Sequence, residues 1–453
     1  MGYRGRAVGL VLAGLVLVAG CTGGARSRDR RTPTQGASGC SVLSGDGGWS
    51  RVAVLAGSGP ETAAEVTGIA ARSAGGPWLV VGAVRAGGPP PSIGTPVTGA
   101  EGGSGTTGTL APAVWESADG ARWTRERVEP VTLDGAVDRL LGVARWGSTA
   151  AAVGVAFNRN EGVARPSAWA SRSGGPWREA PANRELFGGP AGMGVTGVGA
   201  GPLGLAILGP RNGADNRTFV AVWRSRDGRR WQPPQQDSAL TAGPTEPIAP
   251  LSVAVGSSAI VVTGKVIRVN DPADGAIWTG STPGTTAAPG TTATSGPTGT
   301  DGTGDLRWER VAPGPAGLGG GGVQEVDQVV ASGSGFVAGG LIGEPGGLRL
   351  VSWTSPDGHA WRRWPAAAVT GVSRLTGLTA GAGGLLAAGV AGSTACLWRS
   401  PDGRAWTPEP LPAAAARPSG LQRALAAADA DRTLLVVQSQ GRAEVWEHPA
   451  SAR

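Results

Sequence analysis

Several residue types that carry chemistry are scarce in this sequence. Its 453 residues include two histidines, His359 and His448, and three cysteines without a Cys-x-x-Cys pair, so a zinc site is not expected. Tyr3 is the one tyrosine and Lys265 the one lysine. Metal, phosphate-loop and dinucleotide motifs are missing as well. The sequence therefore predicts neither a metal ion nor a cofactor.

Clustered basic charge is also missing from most of the chain. The formal net charge of +7 comes almost entirely from scattered arginines, apart from four between positions 26 and 31. Because nucleic-acid binding usually requires a basic face, nucleic acid is not expected as a partner.

Backbone-breaking residues, in contrast, are abundant. The chain contains 80 glycines and 35 prolines, and glycine costs about 1 kcal/mol per helical position relative to alanine. Long helices are therefore disfavoured. A hydrophobic share of 40% and 17 tryptophans argue against disorder, which leaves a β-rich globular protein with many tight turns.

The first twenty residues have the pattern of a signal peptide. Arg4 and Arg6 precede an apolar run over 7–19 that is too short to span a bilayer comfortably. The run ends in Val18-Ala19-Gly20-Cys21, which resembles the lipobox of bacterial lipoproteins. An ordinary secretory leader with an incidental cysteine is the alternative.

The lipobox resemblance implies cleavage before Cys21 and a diacylglycerol on its sulfur, and acyl chains anchor a protein to the bilayer. We therefore expect a signal peptide over 1–20 and an Arg/Gly/Ser-rich tether over 21–43. The mature protein would lie on the outer face of the cytoplasmic membrane. In that oxidising compartment Cys40 and Cys396 would form either a disulfide or two free thiols.

A nine-residue pattern, Trp-x-Ser-x-Asp-Gly-x-x-Trp, recurs along the chain. Clear copies begin at Trp115, Trp223, Trp353 and Trp398, and a copy at Trp169 lacks the aspartate. Trp278 and Trp308 form a copy that is split by an insertion. Trp446 matches the first tryptophan of the pattern but has no second tryptophan after it. A fragment of the pattern at 44–49 precedes all the other copies. The predicted turn residues are Asp46, Asp119, Asp227, Asp357 and Asp402, with second tryptophans Trp123, Trp177, Trp231, Trp308, Trp361 and Trp406.

The aspartate in this pattern can accept hydrogen bonds from nearby N–H groups, and the glycine supplies a positive φ. The pattern resembles the Asp-box (BNR) repeat of sialidase-type propellers, with one residue fewer between aspartate and tryptophan. In that family the boxes are structural turns away from the catalytic centre. Uninterrupted intervals of 45 and 48 residues between first tryptophans are typical of a four-stranded propeller blade.

The repeats predict an all-β, seven-bladed β-propeller over 44–449. We place the blades at about 64–128, 134–180, 193–234, 248–312, 323–366, 370–410 and 419–449. The last blade lacks a fourth strand, which residues 44–55 would supply by β-pairing of the two chain ends. A ring of six full blades with a loose tail is the alternative. Residues 86–110 and 281–305, rich in Thr, Gly, Pro and Ala, are predicted to be disordered insertions.

Long connections between second and third strands are expected to share one face of the disc with the blade-to-blade connections. Propellers usually bind ligands on that face, since loops vary while sheets hold position. The candidate ligand residues there are Arg159, Asn160, Arg211, Asn212, Arg268 and Asn270, with solvated loop residues as the alternative.

Sialidase chemistry in the resembled family requires a tyrosine nucleophile, yet Tyr3 would leave with the leader. Other glycosidases need two facing carboxylates, and the sequence does not nominate a pair. We therefore expect a monomeric, non-catalytic scaffold or binding module for an envelope protein or glycan. A divergent glycoside hydrolase acting on envelope polysaccharide and an assembly factor for a membrane complex are the alternatives.

Overall fold

A computed structural model describes the chain from Cys40 to Pro449 with gaps in the connections. The gaps are 41, 44, 56–63, 73–75, 87–108, 133–137, 159–162, 173, 182–185, 188–193, 214, 269–271, 283–304, 321, 323, 334, 345–346, 366–370, 382 and 441. The insertions predicted at 86–110 and 281–305 lie almost entirely outside the described residues. So do the signal peptide and Cys21.

Short antiparallel strands make up nearly all of the described secondary structure. Two strands precede the first blade, β1 (Val42–Leu43) and β2 (Ser50–Leu55). The first blade contains β3 (Ala64–Ala70), β4 (Trp78–Ala86), β5 (Thr109–Ser117) and β6 (Thr124–Arg125). The second contains β7 (Val128–Glu129), β8 (Asp138–Trp146), β9 (Thr149–Asn158), β10 (Val163–Arg172) and β11 (Trp177–Glu179).

The middle of the chain repeats the same order of strands. The third blade contains β12 (Gly197–Gly201), β13 (Gly204–Asn212) and β14 (Thr218–Ser225), followed by a 3-10 helix over Ser238–Leu240. The fourth contains β15 (Ile248–Val255), β16 (Ala259–Val266), β17 (Asp274–Ser281) and β18 (Arg307–Arg310), followed by α1 (Pro313–Ala316). The fifth contains β19 (Gln324–Ser332), β20 (Gly335–Glu344), β21 (Gly347–Ser355) and β22 (Arg362–Trp364).

The last two blades complete the chain. The sixth contains β23 (Arg374–Gly381), β24 (Gly384–Ala391), β25 (Thr394–Ser400) and β26 (Thr407–Glu409), followed by β27 (Leu411–Pro412) and α2 (Ala413–Ala416). The seventh contains β28 (Arg423–Ala428), β29 (Arg432–Ser439), β30 (Arg442–Pro449) and the N-terminal β2.

The contacts between inner strands form a closed cycle. β3 contacts β8, and the series continues through β12, β15, β19, β23 and β28, which returns to β3. A closed cycle of seven sheets is a propeller, so the predicted fold class is confirmed. Ring closure is confirmed too, because β2 pairs antiparallel with β30, with Leu55 opposite Ala443.

A second N-terminal attachment reinforces this closure. β1 pairs in parallel with β27, and Cys40 forms a disulfide with Cys396 of β25 across a Cα–Cα distance of 5.0 Å. Cys40, Val42 and Leu43, which the sequence places in the tether, therefore belong to the folded ring.

Two blades depart from the regular pattern of four strands. β7 follows the outer strand of blade one but pairs in parallel with β11, so Val128–Glu129 extends blade two. In blade three the outer strand shrinks to a single bridge between Arg224 and Gln232. Pro233 and Pro234 follow that bridge, and proline has no N–H with which to extend a ladder.

Tryptophans fill the space between the blades. The first tryptophans of six blades are each at most 2% exposed, namely Trp115, Trp169, Trp223, Trp278, Trp353 and Trp398.

Close approach of the first and second strands depends on small residues. A Cβ on Gly82, for example, would lie 1.7 Å from the carbonyl oxygen of Glu65.

The Ser-x-Asp-Gly turns are built by local hydrogen bonds. In blade one the hydroxyl of Ser117 accepts from the N–H of Gly120 at 2.8 Å, and the Asp119 carboxylate accepts from the N–H of Arg122 at 2.8 Å. The indole of Trp123 then donates to the Gly120 carbonyl at 2.8 Å. Because Gly120 has a φ of 76°, this position favours glycine.

The same set of bonds is repeated at Asp227 in blade three and Asp357 in blade five. In blade six Asp402 accepts from the N–H of Arg404 at 2.9 Å. The fragment at Asp46 is closed instead by a backbone bond, from the N–H of Trp49 to the Asp46 carbonyl at 2.9 Å.

Candidate ligand-binding site

The ring has two chemically different ends. Within a blade the inner strand begins where the second strand finishes, as when Ala64 pairs with Val84. We call this end, which carries the blade-to-blade connections, the loop end. The opposite end carries the Ser-x-Asp-Gly turns and is called the turn end.

Charged residues from four consecutive blades meet at the loop end. Glu65, Arg139, Arg374 and Arg423 occupy the same position near the start of their inner strands, as the register shows: they pair with Ala83, Val155, Val390 and Gln438. Blades six, seven, one and two are neighbours around the ring. We name Arg139, Arg374 and Arg423 the arginine cluster.

Hydrogen bonds and an ion pair join these side chains across the blade seams. Arg139 Nη1 lies 3.5 Å from Glu65 Oε1, and Arg423 Nη1 donates to the Thr67 carbonyl at 3.1 Å. Arg374 donates to the carbonyl of Gln422. Arg139 and Arg374 are exposed, while Arg423 is partly buried between them.

Like charges lie near Arg423 within the arginine cluster. Burial lowers the pKa of Arg423, and the charges of Arg374 and Arg139 lower it further, against the opposing effect of Glu65. Two guanidinium groups and one carboxylate thus act on the charge of Arg423. A carboxylate or phosphate placed here would accept charge-assisted hydrogen bonds from arginine.

Blade five presents Glu325 at the corresponding position, where it pairs with Leu341, and Asp327 two residues further along the strand. Lys265 Nζ lies 2.6 Å from Glu325 Oε1. Burial, followed by the charge of Glu325, raises the pKa of Asp327 to about 7. The charge of Lys265 at this end of the ring is therefore paired with an acidic side chain.

Below the arginine cluster, blade two contains a buried polar network. Asp138 accepts bonds from the Ser167 hydroxyl and, at 2.8 Å, from the Trp169 indole. Burial raises its pKa to about 6 despite these bonds. Arg165 and Glu179 pair at 2.8 Å and are almost fully buried. This network fixes the strand that carries Arg139.

An axial cavity of about 510 Å³ lies toward the turn end. All seven inner strands line it, mostly through small or branched apolar residues, and its charged groups are Arg72, Arg145 and Asp429. Arg72 bonds Asp429, and Arg145 donates to the Pro77 carbonyl at 2.8 Å. The charged groups of this cavity are thus already paired within the protein.

A groove of about 340 Å³ beside the first turn is lined by three carboxyl groups, those of the turn residue Asp119 and of Glu116 and Glu126. Burial raises the pKa of Glu116, although the Trp177 indole donates to it at 3.2 Å. Burial and the charge of Glu116 raise the pKa of Glu126. Two of these acids, Glu116 and Glu126, are thus partly buried, and the charge of Glu116 disfavours ionisation of Glu126.

Half of the predicted ligand residues lie within the described part of the chain. Arg211 donates to the Leu186 carbonyl at 3.0 Å, and Asn212 accepts from Thr218 at 3.4 Å. Arg268 pairs with Asp274 at 2.9 Å. Each is bonded near its own blade. Arg159, Asn160 and Asn270 lie outside the described residues.

Sequence reasoning missed the arginine cluster because its members are far apart in the chain and follow no common motif. A usable signal does exist. Each member stands directly before the apolar run of an inner strand, as in Arg139-Leu140-Leu141 and Arg374-Leu375. Aligning the seven runs would have brought these positions together.

Two kinds of feature are absent from the described part of the chain. Its helices are all too short to cross a bilayer. Its His, Cys, Asp and Glu side chains form no group of three or more suited to a metal ion.

No family model and no curated protein matches this sequence. Solved structures with similar folds include a sialidase from Trypanosoma rangeli, with 10% identity and a TM-score of 0.42 over 88% of this chain. This chain spans 58% of the length of that sialidase.

The fucose-specific lectin of Aleuria aurantia has 13% identity and a TM-score of 0.37, covering 67% of this chain and 89% of the lectin. A glycosyl hydrolase from Bacteroides ovatus has 11% identity and a TM-score of 0.31, covering 67% of this chain and 84% of the hydrolase. Likenesses at this level carry no argument about ligand or activity.

Proposed function

We propose that this protein is a non-catalytic binding module that takes an anionic component of the cell envelope at the arginine cluster. A lipid on Cys21 would hold it outside the cytoplasmic membrane. The observation that carries the proposal is the clustering of Arg139, Arg374 and Arg423 at the loop end, where Arg139 pairs with Glu65 and the charges of Arg139 and Arg374 act on Arg423.

The arrangement suits binding better than catalysis. Guanidinium groups stay protonated at all relevant pH values and donate in a fixed planar geometry, which favours carboxylate and phosphate. They do not exchange protons with a substrate. Because Arg139 and Arg374 are exposed, an anion can reach them without rearrangement of the blades.

Calorimetric titration with two soluble probes tests this proposal. Hexagalacturonate carries carboxylates, whereas maltohexaose is a neutral sugar of the same length. We expect the chain to bind hexagalacturonate in preference to maltohexaose and Arg139→Gln/Arg374→Gln to weaken that binding at least tenfold. Equal affinity of the double variant and the wild type would refute the proposal.

The groove at Glu116 and Glu126 favours a second candidate, a glycoside hydrolase. Such enzymes use a carboxylic acid of raised pKa opposite a carboxylate, and both residues line the groove. The pair lies at the rim of blade one, away from the arginine cluster. A screen on aryl glycosides decides the matter: turnover that disappears in Glu116→Gln and Glu126→Gln would establish the hydrolase.

A further inference from the structure

The first described residue of the chain lies at the same end of the ring as the arginine cluster. Cys40 is bonded to Cys396, and Cys396 pairs with Gly389, which pairs with Leu375. Arg374 directly precedes Leu375. Cys40 therefore enters the ring next to the row of paired residues that contains Leu375, the residue after Arg374 of the arginine cluster.

Little sequence separates this entry point from the proposed lipid site. Eighteen residues lie between Cys21 and Cys40, and nineteen Cα–Cα steps span at most about 65 Å when fully extended. A lipid anchor at Cys21 would thus be connected to the ring at the loop end of blade six. The loop end can meet the bilayer without the chain having to pass around the ring.

The arginine cluster and the turn-end arginines Arg122 and Arg404 have different charged neighbours. At the turn end, Arg122 pairs with Asp119 at 2.9 Å and Arg404 pairs with Asp402 at 3.5 Å. At the loop end, Arg139 pairs with Glu65, and the like charges of Arg139 and Arg374 act on Arg423. Arg139 keeps 47% of its side chain exposed despite its ion pair.

Building on the proposed function, we propose that the anionic component is the phosphate headgroup of acidic phospholipids. The propeller then docks with its loop end on the bilayer to which it is tethered. Arginine binds phosphate through two parallel hydrogen bonds, and a negatively charged membrane attracts arginines within a Debye length of about 10 Å at 0.1 M salt. The turn end faces away from the membrane.

Vesicle co-sedimentation of residues 22–453, which contain every described residue but no acylated cysteine, tests this inference. The vesicles contain phosphatidylcholine alone or with 30% phosphatidylglycerol. Two variants lose the same charge: Arg139→Gln/Arg374→Gln at the loop end, and Arg122→Gln/Arg229→Gln at the turn end. Both retain the four arginines of 26–31, so any attraction due to those residues cancels.

We expect the wild type to prefer the phosphatidylglycerol vesicles. The loop-end variant should lose about fivefold in partition coefficient for each arginine removed, and the turn-end variant should keep wild-type partition. Equal losses in the two variants, or no loss in either, would overturn the inference. Thermal midpoints of both variants check folding, and Arg374→Gln alone replaces the double variant if that one unfolds.

Hexagalacturonate separates a failure of this inference from a failure of the proposed function. Arginine-dependent binding of this soluble probe, without arginine-dependent vesicle binding, would reject the phospholipid and leave the anion site in place. If the binding of hexagalacturonate and the binding of vesicles are both unchanged in Arg139→Gln/Arg374→Gln, the arginine cluster is rejected as an anion site.

Discussion

The guanidinium of Arg72 in blade one bonds the carboxylate of Asp429 in blade seven, and also that of Asp431. These ion pairs cross the seam where the first and last blades meet. The Asp429 side chain is only 7% exposed, so its partner is not readily replaced by water. Ring closure therefore depends on charge at the turn end as well as on strand pairing.

Replacing Arg72 should weaken this seam. Arg72→Gln leaves a buried carboxylate without its cation, which we expect to cost about 1–2 kcal/mol of unfolding free energy. Arg51→Gln is the matched control, since Arg51 pairs with Glu444 at 3.0 Å but is 48% exposed, and such pairs contribute under about 1 kcal/mol. Urea denaturation compares the two, and equal effects would contradict a special role for Arg72.

Breaking the disulfide should destabilise the ring more strongly. Cys40 and Cys396 are 356 residues apart, and removal of a long-range disulfide costs about 2–5 kcal/mol. The double variant Cys40→Ser/Cys396→Ser should melt earlier than the wild type, and dithiothreitol should lower the wild-type midpoint but not that of the variant. A wild-type midpoint that does not change with dithiothreitol would count against the Cys40–Cys396 disulfide.

The arginine cluster should oppose folding when no anion is bound. Burial, followed by repulsion from Arg374, lowers the pKa of Arg423, so Arg374→Gln should leave the thermal midpoint unchanged or raise it. Hexagalacturonate should raise the wild-type midpoint, because a ligand that binds only the folded state stabilises it, and should raise that of Arg139→Gln/Arg374→Gln much less. A midpoint that falls by several degrees in Arg374→Gln alone would instead indicate a structural role.

The turn aspartates should protect the fold against acid. Burial alone would raise the pKa of Asp357, but N–H groups of Ala360 and His359 outweigh it, so its pKa lies below the usual range. A lowered folded pKa contributes stability above the unfolded value near 4, and that contribution is lost as the pH falls through the folded value. Asp357→Ala should therefore cost about 0.5–1 kcal/mol at pH 7, and this gap should close below pH 4.

Asp327 should have the opposite pH dependence. Its pKa is raised to about 7 by burial and by the charge of Glu325, so its protonated form favours folding. That stability is complete below the unfolded pKa near 4 and is lost as the pH rises through about 7. Asp327→Asn should flatten the fall in thermal midpoint between pH 5 and pH 8, and an unchanged pH profile would rule out this assignment.

The repeat predicted the architecture because most copies of the pattern lie within nine consecutive residues and can be read directly from the sequence. The first tryptophan of the pattern marks one blade, and the seven first tryptophans predict the number of blades. The fragment at 44–49 showed where the ring would close, and β2 does pair with β30. Proline at 233 and 234 could also have indicated the shortened outer strand of blade three.

The arginine cluster was not predictable in the same way. Arg139 and Arg423 are 284 positions apart in the sequence, and only the closed ring brings their blades within reach of each other. Loop length and polarity single out the candidate residues in the long connections, but they do not show which charges are already paired within the fold. Arg268 illustrates the difficulty, because its charge is already paired with Asp274 within the fold.

Photo-crosslinking in intact cells tests the central claim most directly. A benzophenone amino acid at Gln422, which is exposed beside Arg423, is compared with one at Ala118, which is exposed at the turn end. We predict adducts to an anionic envelope component, identified by mass spectrometry, from position 422 and their loss when Arg139 and Arg374 are changed to glutamine. Adducts from position 118 alone, or adducts from 422 that persist in the glutamine variant, would contradict the account.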